Sequence, residues 1–168
     1  MDDRSVVAWQ LGRSPRAFRR VAVRCPFGAP AVTEQEAYDP NGEPFPTTYY
    51  LTCRHLVAAV SRVEARGGVE RWGEAVAHDS ELAESLCRAT EEQRAVRQEL
   101  AAGVQGNDGG ASLVLGIGGT ARPERLKCLH AHAAFALARP GYLLGDRILA
   151  EVEPLWPAEC CSLPAASG

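Results

Sequence analysis

The stretch TTYYLTCRHLVAAVSRV, Thr47 to Val63, changes its period halfway along. Four of its first five residues, Thr47 to Tyr50, are β-branched or aromatic, the composition of a strand on a half-buried surface. Further on, Leu56, Val57, Val60 and Val63 recur at helical spacing, which predicts an amphipathic helix. Thr52, between the two, can cap that helix and places Cys53 in its first turn. A strand feeding straight into a helix sets the expected class as α+β, with a small N-terminal sheet packed against three or four helices.

Upstream, Phe18 to Arg24 reads as an edge strand with Phe18, Val21 and Val23 as its apolar positions. Val6 to Gln10 reads as a short strand, and Gly12 to Pro15 as a turn. Pro26, Gly28 and Pro30 are expected to interrupt regular structure, and Tyr38 to Pro46 forms a loop rich in turn residues. Downstream, Gly67-Gly68 ends the first helix and Val69 to Ala77 makes a second. Ser80 caps a longer third, with Leu82, Leu86, Ala89, Val96 and Leu100 as its inward stripe. The charged residues of that helix are placed on a solvated face, and Cys87 in the core. Gly103 to Gly119 is a glycine-rich loop, and Pro123 opens a last major helix running to about Ala138. Residues 1–155 are read as one domain and residues 156–168, which include PAECCSLPAASG, as a disordered tail.

At 168 residues the chain is long enough for one well-formed core. A formal charge of −3 argues against general binding to nucleic acid or anionic membranes, both of which need a basic face. The opening MDDRSVVAWQLGR lacks the basic and apolar regions of a secretory signal. No apolar run reaches the roughly 18–20 residues of a spanning helix. The expectation is a cytoplasmic protein whose cysteines remain thiols.

The chemistry-bearing residues are Cys25 in RCPFG, Cys53 in LTCRH, and Cys128 and His130 in KCLHAH. Thiolates and neutral imidazoles are the ligands that borderline and soft metals prefer. The first expectation is therefore a dispersed Cys3His metal site holding zinc or an iron–sulfur cluster, with His132 ranked below His130. Such a site could act on a small anionic substrate. Gly116, Gly118 and Gly119, with Arg24 and Lys127, are the candidates for holding its charge. A second expectation is a metal-free thiol enzyme with Cys53 as nucleophile and His130 as base. A third is a non-catalytic interaction protein using the charged helix from Ser80 to Ala102. Whether the protein is an enzyme is left open, because buried cysteine is also an ordinary core residue.

The motifs QLGRSPR, VAVRCPFGAP, GEPFPTTYYLTC, GIGG, RLKCLHAH and a late LGD follow one another in this order. In this the chain resembles the bacterial family known as domain of unknown function 501, over roughly Val6 to Asp146. The resemblance implies cysteine at the positions of Cys25, Cys53 and Cys128 and histidine at that of His130. It implies variation at the position of His132, and often proline where this chain has Arg54. It implies no activity.

Overall fold

The computed structural model describes residues 1–161. A three-stranded antiparallel sheet in the order β1-β2-β3 joins Phe18–Arg24 (β1), Pro30–Gln35 (β2) and Tyr49–Leu51 (β3). Six helices accompany it: α1 Asp3–Leu11, α2 Arg54–Ala65, α3 Gly68–His78, α4 Ser80–Leu100, α5 Leu129–Ala138 and α6 Leu143–Leu149. The class is α+β, as the switch of period at Thr47–Val63 predicts.

Several local expectations change. Val6 to Gln10 is not a strand but lies within α1. Asp2 caps that helix through Ser5 N–H, and Gly12 closes it with a positive φ of 68°. Pro30 does not end regular structure; it begins the central strand β2. A proline is tolerated at a strand's first residue, and here its carbonyl accepts from Gln10 Nε2. The strand escapes pattern reading because all six of its residues are buried, including Thr33, Glu34 and Gln35. Those polar side chains are satisfied: Glu34 by Arg19 and Arg20, and Gln35 Nε2 by Thr33 Oγ1.

Pro123 does not open α5. The segment before that helix folds as turns, in which Thr120 and Arg122 exchange hydrogen bonds, and Cys128 is still extended. Cys87 is exposed rather than in the core, because it points away from the Leu82, Leu86 and Ala89 face of α4. The caps of α2 and α4 are Cys53 and Asp79, each one residue from the expected Thr52 and Ser80.

Within α4, Arg97 is the exception to the solvated charged face. It is fully buried, donating from Nη1 to the Phe45 carbonyl and Thr48 Oγ1. Burial lowers its pKa, opposed by Tyr38 and Asp108. The main core lies between the sheet and α5, which is apolar almost all round and packs against β3, α2 and α6. Phe135 of α5 meets Tyr49 and Tyr142 edge to face, at 5.5 Å each. Trp156, Cys160 and Cys161, part of the expected tail, pack with Leu155 against this core, while residues 162–168 lie outside the described residues. No helix among the described residues is long and apolar enough to cross a membrane.

Candidate metal centre

The C-terminal end of α2 and the N-terminal end of α5 meet, and three side chains converge there. Glu64 is in the last turn of α2, Cys128 is the cap residue of α5, and His130 lies in its first turn. One ligand atom from each stands within 4.8 Å of the other two. Among the described residues this is the one group of three or more Cys, His, Asp or Glu side chains so gathered.

Each atom is held in place. His130 Nδ1 is 3.2 Å from Glu64 Oε1 and 3.7 Å from Cys128 Sγ. Its other ring nitrogen, Nε2, lies 3.1 Å from both the Val57 carbonyl and Ser61 Oγ. A carbonyl only accepts, so Nε2 carries a hydrogen, and Nδ1 turns toward sulfur and carboxylate, donating to them when the ring is protonated and offering its lone pair when it is not. Glu64 Oε1 also accepts from the Leu129 amide at 2.7 Å, supplying the cap that the Cys128 side chain does not give α5.

Burial alone raises the Cys128 thiol, but hydrogen bonds from His130 and the Ala131 amide outweigh it and lower the pKa. Burial alone lowers His130, yet Cys128 and Glu64 together push it up to about 9. A thiol and a carboxyl group thus face one imidazole.

Cys128 and His130 open onto a cavity of about 560 Å³ between α1, β3, α2 and the start of α5. Its walls are largely apolar and aromatic, with Tyr49, Leu51 and Val57 among them. Gly118 and Arg54 reach it too. The Arg54 guanidinium lies 4.6 Å from the Trp9 ring centre, and no carboxylate pairs with it among the described residues.

Of the expected ligands, the structure brings together Cys128 and His130 and leaves the other two apart. Cys25 is buried in the core, in a tight turn where its N–H donates to the Ala29 carbonyl. Cys53 is 1% exposed, and its sulfur lies 3.9 Å from that of Cys161. His132 points the other way, buried against the Tyr142 hydroxyl at 2.7 Å. Of the anion candidates, Gly118 lines the cavity, and its φ of 76° needs glycine. Gly116 and Gly119 pack instead against Pro123 and Pro46. Arg24 pairs with Asp3 at 2.7 Å, and Lys127 is exposed. Glu64 is the member that sequence reasoning missed. On α2 it reads as one more solvated acid, and only the meeting of two helix ends gives it a role.

A comparison with family models matches residues 21–150 to the family described as "Protein of unknown function (DUF501)". Neither a curated protein nor a solved structure matches the chain.

Proposed function

The chain belongs to the DUF501 family, and from the geometry of the site we propose that it is a metalloprotein with one zinc ion held by Cys128 Sγ, His130 Nδ1 and Glu64 Oε1. The observation that carries this is the spacing of the donors. Ligands at ordinary zinc bond lengths around a tetrahedral ion stand about 3.3 Å apart for nitrogen and oxygen and about 3.6 Å for sulfur and nitrogen. The corresponding separations here are 3.2 and 3.7 Å. The Val57 carbonyl on Nε2 is the outer support that metal-bound histidines commonly have. A single thiolate in the group favours zinc over an iron–sulfur cluster, which needs several.

Three protein ligands leave a fourth position for water or substrate, the pattern of catalytic rather than structural zinc. The neighbouring cavity is of a size suited to a small molecule. In this reading Cys128, His130 and Glu64 would hold an ion whose open position would supply Lewis-acid chemistry, and Arg54 would meet the charge of a small anionic substrate.

The test is metal analysis of the purified protein and its variants. About one zinc per chain is expected, lost in Cys128→Ser, His130→Ala and Glu64→Gln and kept in Cys25→Ser and Cys53→Ala. Zinc that survives loss of His130 and Cys128 would refute the assignment, and zinc lost equally from the Cys25 and Cys53 variants would restore the dispersed set.

A second reading has one observation behind it, the lowered Cys128 thiol beside a raised His130. It makes Cys128, rather than Cys53, the nucleophile of a metal-free thiol enzyme. Iodoacetamide at neutral pH should then label Cys128 first whether or not chelator is present. Under the zinc reading, labelling is fast only after chelation.

A further inference from the structure

The end of the described chain brings a second sulfur against Cys53. Cys161 Sγ lies 3.9 Å from Cys53 Sγ and accepts a hydrogen bond from the His55 backbone amide at 3.3 Å. The same segment is held by His55 Nε2, 2.7 Å from the Pro154 carbonyl, and by the packing of Trp156 and Cys160 on the core. All six cysteines are thiols. A disulfide joins sulfurs about 2.05 Å apart, so closing this pair needs an approach of about 2 Å, within reach of side-chain rotation and a small shift of the terminal segment. Cys161 Sγ sits at the N-terminal turn of α2, where backbone amides and the helix dipole favour a thiolate. Cys53 is the cap residue of that helix and is almost wholly buried, while Cys161 is partly exposed. One sulfur is therefore reachable from solvent, and the other waits behind it.

We propose that Cys53 and Cys161 are a redox modification site, forming a reversible disulfide that fastens the C-terminal segment to the start of α2. The co-reactant is a low-molecular-weight disulfide of the glutathione class. The Cys161 thiolate attacks one of its sulfurs, forming a mixed disulfide and releasing one thiolate. Cys53, losing its proton to solvent, then attacks Cys161 Sγ, closes the protein disulfide and releases the second. The two electrons leave on two reduced small thiols, and excess thiol reverses both steps. This inference does not rest on the zinc reading. It bears on the same cavity, however, because Thr52 and Arg54, the neighbours of Cys53, both line it.

The test is to incubate the full chain with oxidised glutathione and map its cysteines by mass spectrometry without reduction. The expected product is about 2 Da lighter than the reduced chain, carries a Cys53–Cys161 linked peptide, and reverts with dithiothreitol. The bond closes a loop over a separation of 108 residues, so its Tm should be higher by about 10 °C. Cys160→Ser should leave the link intact and Cys161→Ser should abolish it, with circular dichroism confirming that both fold. A Cys160–Cys161 bond as the main product would overturn the proposal. So would a glutathione adduct on Cys161 that Cys53 never displaces.

Discussion

Glu64 serves two purposes with one oxygen. It faces His130 Nδ1 as a ligand would, and it accepts the Leu129 amide as a helix cap. Two substitutions separate these roles. Glu64→Gln keeps a neutral acceptor for the amide and loses the anionic ligand, so metal-free stability should stay near wild type while zinc is lost. Glu64→Ala loses both, and the metal-free protein should be destabilised by about 1 kcal/mol, read from urea unfolding with chelator present. Equal stability of the two metal-free variants would show that the cap contributes nothing. Residue by residue, the sequence makes two of the three side chains of this site legible. Cys128 and His130 stand out because thiol and imidazole two positions apart are chemically marked. Cys53 carries the same mark, but it is set against Cys161, and no local pattern distinguishes a cysteine at a site from one beside another sulfur. Glu64 carries no mark at all, since acids on exposed helix faces are common and its partners lie 65 and 66 residues away.

Helices were read best where an apolar stripe met a charged face, as in α2, α3 and α4. They are read less well elsewhere: α1 is taken for a strand, and the start of α5 is displaced to Leu129 because Pro123 belongs to the preceding turns. Strand β2 was missed because burial on both sides removes alternation. The α5–α6 contact depends on Gly145, a position where an added Cβ would lie 2.6 Å from Ala136 Cβ and 2.9 Å from the His132 carbonyl. The absence of a side chain there sets how closely the two helices approach. Gly145→Ala should push them apart and cost about 2 kcal/mol, measured by urea unfolding. An unchanged midpoint would mean that α6 shifts freely. The LGD of residues 144 to 146 thus has a packing reason that needs no ligand.

At the scale of the whole molecule, stability should depend on pH through His132. Burial lowers its pKa from 6.5 to about 4, and its hydrogen-bond partner is the neutral Tyr142 hydroxyl. The unfolded chain therefore takes up a proton at higher pH than the folded one. This contribution is complete above about pH 6.5, declines as pH falls toward 4, and amounts to about 3 kcal/mol across that window. Unfolding at pH 7 and pH 4.5 should show a steeper acid loss in the wild type than in His132→Gln, which lacks the titrating ring. Parallel pH curves for the two would overturn the assignment.

Helix α5 has one more consequence, which concerns how the chain is made. Leu129, Ala133, Ala134 and Phe135 fill the space under the sheet and beside α2, each at most 1% exposed. Yet they come after 128 other residues. A ribosome delivers all three strands and the first four helices before it delivers the segment that covers them. Until α5 emerges, the nascent sheet presents a bare apolar face, and Glu64 on α2 has not met Cys128 and His130. Vectorial synthesis therefore delays the closing of this core, and of the Glu64, Cys128 and His130 cluster, until α5 has left the ribosome.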